Sequence, residues 1–207
     1  MDIENFDVIE KSNRNVMDYE QYFGEMDISE DKKQKRIDFA NSMETMLLTI
    51  MALYSIAKQL KSLNKIEISN KLAYEYKTLV NEYVGQDIGM DDYIDMFSYD
   101  FVDAIARHEN DNYYLSEERA MYNAENESNT IWNKAEYVDA TNNKTKKQWV
   151  TMKDRHVRHT HRNVDNKVVD IDEPFSVGDS LLNFPKDYSL GAEGKECVNC
   201  RCTIKYF

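Results

Sequence analysis

The feature that most constrains the fold is a run of apolar residues from Ile37 to Leu60 that recurs every three or four positions. This spacing places the apolar side chains on one face of an α-helix. Ser29, Glu30 and Asp31 precede the run and supply an N-cap and an acidic first turn. We therefore predict a helix of about 30 residues that begins after Ser29.

Three further helices are indicated by start and stop signals. We predict one over residues 67–84, ended by Gly85, and another over residues 91–108. The fourth begins after Ser116, whose hydroxyl can cap a helix that opens with two glutamates. The 207 residues include only two prolines and six glycines, which also favours helix.

Beyond residue 140 the pattern changes to short β-prone segments separated by turn residues. WVTM, KVVDI and CRCTIKYF have the composition of strands, and DEPF, VGD and FPKD supply turns. We predict an α+β fold in which an N-terminal region of about four helices precedes a small mixed or β-rich C-terminal module. The predicted domains are a helical region with an acidic arm over residues 1–114 and the module over residues 115–207.

Charge is distributed unevenly along the chain. The net charge of -12 arises in the first 120 residues, whereas residues 144–167 contain eight Lys or Arg and only two acidic residues. Basic side chains near an aromatic residue, here Trp149, are suited to phosphate contacts that do not depend on base sequence. The alternative is an ordinary solvated surface. The candidate DNA-contacting residues are Lys144, Lys146, Lys147, Lys153, Arg155 and Arg162.

All three cysteines lie in the closing segment as Cys-x-x-Cys-x-Cys, and three histidines lie within residues 153–163. The crowding of three thiols indicates reduced cysteines rather than disulfides. If both segments were strands, Cys200 and Cys202 would share one face, as would two of the histidines, and zinc could bind as Cys2His2 or Cys3His. Alternatively, the cysteines are small buried strand residues and the histidines are solvated. The candidate metal ligands are His161, Cys197, Cys200 and Cys202.

Catalysis and membrane insertion have little support in the sequence. Glu125, Asp154 and His161 could supply a general base and an orienting carboxylate, but the chain has no glycine-rich phosphate loop, nucleophile elbow or HExxH helix. We therefore expect no enzyme, with a zinc-dependent hydrolase or effector as the alternative. The apolar residues 46–57 would span about 18 Å as a helix, which is too short for a bilayer, and the N-terminus lacks a secretory pattern.

An ordered series of motifs fills the second half of the chain. ERAMYNAENESN is followed by KKQWVTMKDRHVRHTHRNVDNKVV, then DEPFSVGD, then LNFPKDYSLGAEGKECVNCRCTIKYF. Over about residues 115–207 the chain resembles the Mu F-like minor head proteins of tailed phages, also called the phage head morphogenesis domain. In place of the glycine usual after the motif aspartate, this chain has Asn166, which can also adopt a left-handed conformation. The matching positions are Glu125, Asn129, Trp149, Asp154, Arg158, His161, Asp165, Phe175, Pro185, Asn199, Cys200, Arg201 and Cys202.

The resemblance implies a minor head protein of the capsid interior that acts in head morphogenesis. It implies binding to the portal protein and contact with packaged double-stranded DNA without sequence specificity, with scaffold or capsid proteins as further partners and no cofactor other than the zinc considered above. The implied location is the host cytoplasm during assembly and then the virion interior. A pure interaction module that blocks a host or phage partner is a third hypothesis. In the picture that the resemblance suggests, a polar cluster ties the helix to the sheet through Glu125, Asp154, Arg158, His161, Asn199 and Arg201.

Overall fold

The computed structural model describes residues 18–207, so the first part of the predicted acidic arm lies outside the described residues. The described chain has the predicted α+β fold, with helices first and small antiparallel sheets last. The α-helices are α1 (Tyr19–Gly24), α2 (Glu30–Gln59), α3 (Lys65–Val84), α4 (Asp91–Arg107), α5 (Glu117–Thr141), α6 (His159–Arg162) and α7 (Gly194–Cys197), with a 3-10 helix at Asn112–Leu115. The strands are β1 (Lys146–Val150), β2 (Val168–Asp170), β3 (Phe175–Val177), β4 (Ser180–Leu182) and β5 (Thr203–Tyr206).

Two compact units divide the described residues. The helical unit comprises residues 38–127, and the sheet unit comprises residues 18–37 together with residues 128–207. The chain passes from one unit to the other inside α2 and inside α5. The domain boundary predicted at residue 115 stays a prediction.

Capping residues set the ends of the helices in the helical unit. The Asn64 side chain accepts a hydrogen bond from the backbone N–H of Glu67 at the start of α3, and Gly85 ends that helix in the left-handed conformation, with φ of 72°. Ser116 Oγ accepts a hydrogen bond from the Arg119 backbone N–H (3.2 Å), which caps α5. The predicted bounds of α3 and α4 agree with the structure to within two residues.

Aromatic side chains fill the interior of the helical unit. The buried Tyr76 ring of α3 packs edge-on against Phe97 of α4, with ring centroids 5.7 Å apart. The Glu127 carboxylate accepts hydrogen bonds from the hydroxyls of Tyr76 (2.8 Å) and Tyr93 (3.0 Å). These two donors offset part of the cost of burying the carboxylate. Among the described helices, none combines the length and the apolar character needed to span a bilayer.

The sheet unit is built on β1, the central strand of an antiparallel sheet with the order β2-β1-β5. Trp149 of β1 is fully buried and packs edge-on against Phe175, with centroids 5.2 Å apart. Strands β3 and β4 form a separate antiparallel hairpin. The other buried apolar residues of this core are Val164, Val169, Val177, Leu182, Phe184, Cys197, Cys200, Cys202 and Ile204.

The turn before β2 has the backbone conformation expected for its asparagine. Asn166 has φ of 62°, the left-handed conformation that glycine adopts most readily. Its backbone N–H donates to the Trp149 carbonyl (2.8 Å), and Asp165 Oδ1 accepts from the Thr151 backbone N–H (2.9 Å). These bonds fasten the turn to the end of β1.

Candidate functional site

His161 lies on the short helix α6, in the interior of the sheet unit. The side chain is almost completely buried. Its Nε2 atom is 3.2 Å from Glu196 Oε2, and its Nδ1 atom is 3.4 Å from Cys202 Sγ and 3.5 Å from Cys200 Sγ. The imidazole is therefore held between a carboxylate on one side and two thiols on the other.

The carboxylate partner is fixed by its own surroundings. Glu196 is buried on α7, and its Oε2 atom accepts a hydrogen bond from Thr160 Oγ1 (2.7 Å). Gly178, between β3 and β4, has φ of +59°, and a Cβ atom there would come within 2.7 Å of Glu196 Oε1. The glycine thus provides both the turn conformation and the space for the carboxylate.

The buried groups shift one another's proton affinities. Burial acts to lower the pKa of His161, but Cys200 and Glu196 outweigh it and raise that pKa above its ordinary value of 6.5. Burial acts to raise the pKa of Cys200, but hydrogen bonds from Cys202 and His161 and the charge of Arg158 bring it well below its ordinary value. Burial, with Cys200 next to it, raises the pKa of Cys202. Cys200 is therefore the thiol that ionises more readily, and thiolates bind metals and attack electrophiles.

Asp154 connects the loop after β1 to the closing segment. Its Oδ1 atom accepts hydrogen bonds from the backbone N–H groups of His156 (2.8 Å) and Val157 (3.1 Å), while Oδ2 forms an ion pair with Arg201. Burial acts to raise the pKa of Asp154, and Arg201 reverses this so that the pKa lies below its ordinary value. Beside this pair, Arg158 Nη2 donates to the Val198 carbonyl.

Two asparagines fasten the C-terminal part of α5 to the closing segment. Asn129 Nδ2 donates to the Cys200 carbonyl (3.0 Å) and less closely to the Cys202 carbonyl (3.4 Å). Asn133 Nδ2 donates to the carbonyls of Cys202 (3.1 Å) and Pro185 (3.4 Å). The two residues are four positions apart and so share one helix face. Sequence reasoning singled out Asn129 but missed Asn133, and this spacing is the signal that could have found it.

Most residues of the predicted polar cluster lie along the same two segments of the sheet unit. Four of them belong to the contacts described above, and Asn199 stands between the cysteines in a left-handed conformation, with φ of 56°. Glu125 is buried on the part of α5 that belongs to the helical unit, so its place in the cluster stays a prediction. Glu196, which sequence reasoning missed, is the carboxylate next to His161. The four residues of the predicted cluster that take part in the contacts described above are Asp154, Arg158, His161 and Arg201.

The structure corrects the predicted metal-ligand set. The ligand atoms of His161, Cys200 and Cys202 all lie within 4.8 Å of one another. Cys197 is also buried, but its Sγ atom is directed to the Asp187 carbonyl (3.8 Å), so it does not belong to this group. The assumption of two strands is also wrong, because His161 lies on a helical turn and the two cysteines precede β5.

The predicted DNA-contacting residues divide into exposed residues and one buried residue. Lys147 is two residues from Trp149 on β1 and faces the same side of the sheet, where its side chain is fully buried. Its Nζ atom lies over the rings of Tyr137 and Phe175, at 4.9 Å and 5.5 Å from their centroids. The prediction that Lys147 contacts DNA is therefore wrong. The exposed residues are Lys144, Lys146, Lys153, Arg155 and Arg162.

The fold and the site together define a small α+β module closed by a Cys-x-Cys segment that packs against a buried histidine. The family described as Phage Mu protein F like protein matches residues 99–205, which is more than half of the chain. The chain therefore belongs to this family. The assignment indicates a phage head morphogenesis protein, and it supports a structural rather than an enzymatic class.

A curated relative shares a shorter segment. The chain is 40% identical over 58 residues to the NAD(+)--arginine ADP-ribosyltransferase EFV of Enterococcus faecalis (strain ATCC 700802 / V583). The similar segment spans 28% of this chain and 11% of that relative. No solved structure matches the chain.

Proposed function

We propose that this protein is a minor head protein of the capsid interior that binds the portal and contacts packaged DNA without sequence specificity. The observation that carries the proposal is the family match over residues 99–205. Host cytoplasm during assembly, followed by the virion interior, is the corresponding location. Scaffold or capsid proteins are further candidate partners.

The exposed basic side chains support the part of the proposal that concerns DNA. Lys153, Arg155 and Arg162 lie on the loop and short helix that follow β1, and Arg162 Nη2 donates to the Arg155 carbonyl (3.0 Å), which holds these two residues close together. Phosphates attract such a local cluster even in a chain of net charge -12, because salt limits electrostatic interactions to about 10 Å. Lys146 contributes less, since it forms an ion pair with Asp170 (2.6 Å).

A salt titration tests this DNA contact. The triple variant Lys153→Gln, Arg155→Gln and Arg162→Gln is compared with wild type for retention of double-stranded DNA of mixed sequence. The slope of log affinity against log salt should fall by about 0.9 for each phosphate that the variant no longer neutralises. A control that removes three exposed lysines of α2 and α3, Lys35→Gln, Lys58→Gln and Lys71→Gln, has the same net charge. Equal salt slopes for the two triple variants would remove the basic loop from the proposal.

The acidic helical unit supports the part of the proposal that concerns the portal. Large apolar side chains are exposed on α3 and α4 of the helical unit, including Tyr74 and Tyr99, which are 70% and 50% exposed. Exposed aromatic side chains near charged residues are typical of protein-binding surfaces. We expect the purified chain to co-sediment with portal oligomers of the same phage. Failure to co-sediment, at low salt as well as at physiological salt, would contradict portal binding.

An enzymatic effector is the second candidate function, favoured by the similarity to a relative named as an ADP-ribosyltransferase. The similar segment covers only 11% of that relative, so the similarity gives little support for the same activity in this chain. The head-protein proposal predicts no transfer of ADP-ribose to an arginine acceptor when the purified chain is incubated with NAD. Transfer that depends on the chain would favour the effector. A hydrolase that uses zinc would instead need both bound metal and loss of hydrolysis in His161→Ala.

A further inference from the structure

We propose that His161, Cys200 and Cys202 form a zinc-binding site in the sheet unit, with the imidazole Nδ1 atom and the two sulfurs as ligands. These three ligand atoms lie within 4.8 Å of one another, and all three side chains are buried. Thiolate and imidazole are the ligands that zinc takes most often in proteins. The site goes beyond the proposed head-assembly role.

The distances from the imidazole nitrogen to the two sulfurs are close to those of a zinc tetrahedron. With Zn–S of about 2.3 Å and Zn–N of about 2.0–2.1 Å, tetrahedral geometry places a nitrogen and a sulfur ligand about 3.6 Å apart. The structure places Nδ1 at 3.4 Å from Cys202 Sγ and at 3.5 Å from Cys200 Sγ. Both nitrogen-to-sulfur distances are therefore within a few tenths of an ångström of the tetrahedral value.

Glu196 orients the histidine in the way that zinc sites require. Its Oε2 atom is 3.2 Å from His161 Nε2 and can accept the proton of that nitrogen. With a metal bound, the imidazole is neutral, carries its hydrogen on Nε2 and directs the lone pair of Nδ1 toward the metal. Metal-binding histidines almost always donate their other ring hydrogen to a carboxylate, carbonyl or water. Thr160 and Gly178 hold Glu196 in this position, as described above.

Charge balance also favours a metal at this buried position. When zinc binds, both thiols lose their protons, and the two negative charges balance the Zn²⁺ charge. The occupied centre is then neutral overall, which suits a buried position.

The fourth ligand would come from solvent. The three ligand residues border a small pocket, which is also lined by Met152, His156, Val157, Arg158, Asn199 and Arg201. His156 is not among the residues whose ligand atoms lie within 4.8 Å of one another. Cys197 cannot supply the fourth ligand in this structure, because its sulfur is directed to the Asp187 carbonyl. A water molecule entering from the pocket would complete four-coordination.

Metal analysis of the full chain tests the proposal directly. Protein purified without chelator is expected to contain one zinc per chain, or to take up one added Zn²⁺ after treatment with chelator. Replacement by Co²⁺ is expected to produce thiolate-to-cobalt charge-transfer absorption, which reports sulfur ligation without any assay of activity. A chain that holds no zinc, takes up none and shows no such absorption with Co²⁺ would overturn the proposal and leave a hydrogen-bonded Cys–His cluster.

Matched cysteine variants identify the ligands. Cys200→Ser and Cys202→Ser should each abolish the charge-transfer absorption or reduce it strongly, whereas Cys197→Ser should leave stoichiometry and spectrum unchanged. All three cysteines are buried in the same segment, so the comparison controls for general effects of substitution there. Loss of metal in Cys197→Ser, with retention in Cys200→Ser, would refute the assigned ligand set.

The carboxylate provides a variant with a smaller effect on folding. Glu196→Gln should keep the one-to-one stoichiometry but weaken zinc affinity by about 10–100-fold, the usual cost of losing such an orienting partner. Glu193→Gln, at the exposed start of α7, is the matched control and should bind zinc as wild type does. Equal affinities for the two variants would contradict the orienting role. Because none of these measurements involves phage particles, they stand apart from the tests of head assembly.

Discussion

Replacing Lys147 by methionine should stabilise the protein at neutral pH. The lysine side chain is fully buried on β1, and within the described part of the chain no hydrogen-bond acceptor lies within reach of its Nζ atom. Methionine has a similar length and no charge, so it can keep the apolar contacts with Tyr137 and Phe175 while removing the buried ammonium. A lysine in a run of basic residues is ordinarily expected at the surface. The substitution therefore tests whether the Lys147 side chain is buried.

The magnitude follows from the proton affinity of the buried amine. Burial lowers the pKa of Lys147 from 10.5 to about 8, against opposing effects of the Asp187, Asp172 and Glu173 carboxylates. At about 1.4 kcal/mol per pH unit, burying the charged form costs on the order of 3 kcal/mol. The two cation–π contacts return about 1–2 kcal/mol. We therefore expect Lys147→Met to raise the free energy of unfolding by about 1–2 kcal/mol at neutral pH.

The pH dependence has a definite sign. Below about pH 8 the Lys147 amine is protonated in both the folded and the unfolded chain, so the folded protein bears the full free-energy cost of burying the charge. Between about pH 8 and 10.5 the unfolded chain binds more protons than the folded chain, so wild-type stability rises with pH relative to the variant. The advantage of Lys147→Met should therefore shrink across this interval.

Urea unfolding followed by circular dichroism, at neutral and alkaline pH, measures these differences. The control is Lys146→Met, in the adjacent position of β1, where the side chain is exposed and should change stability by less than about 0.5 kcal/mol. A free energy of unfolding for Lys147→Met that lies below the wild-type value, by more than any decrease seen in Lys146→Met, would show that the buried ammonium is stabilising and would refute the reasoning.

Two further substitutions test the hydrogen bonds to the closing segment and the turn at Gly178, which faces Glu196. Asn129→Ala removes the donor to the Cys200 and Cys202 carbonyls and should cost about 1–3 kcal/mol in urea unfolding, whereas Asn143→Ala at an exposed position should cost little. Equal costs would show that these bonds do not stabilise the unit. Gly178→Ala should destabilise more than Gly191→Ala, because both glycines have positive φ but only Gly178 faces Glu196 within contact distance. The strain of a positive φ is common to both variants, so the melting temperature of Gly178→Ala should lie below that of Gly191→Ala. Equal melting temperatures would contradict the close contact with Glu196.

Local signals were sufficient to predict the four long helices, α2 to α5. The N-cap at Ser116, the stop at Gly85 and the apolar spacing of α2 each act within a few residues, so the sequence alone indicates where these helices begin or end. Asn166 adopts the left-handed conformation that the family resemblance, with its usual glycine at this position, allowed for it. The family resemblance, built on motif order and spacing, also identified the segments that meet around His161.

The details of the site depended on contacts between distant residues. Glu196 is 35 residues from His161, and its own segment carries no signal that it will be buried. The shared face of Lys147 and Trp149 could have been read from the two-residue period of a strand, but a lysine in a basic run was assigned to the surface instead. Cys197 ends the helical turn α7 and its sulfur is directed to the Asp187 carbonyl, whereas the Cys200 sulfur lies next to His161, and the Cys-x-x-Cys-x-Cys spacing does not reveal this difference.

Mass spectrometry of gradient-purified phage particles tests the assignment to head assembly most directly. Procapsids and mature heads are separated, and peptides of this chain are quantified against portal and major capsid peptides in each fraction. The proposal predicts that the chain co-purifies with portal-containing particles, in few copies relative to the capsid protein. Absence of the chain from both procapsids and mature heads, in preparations where portal peptides are readily detected, would contradict its role as a head protein.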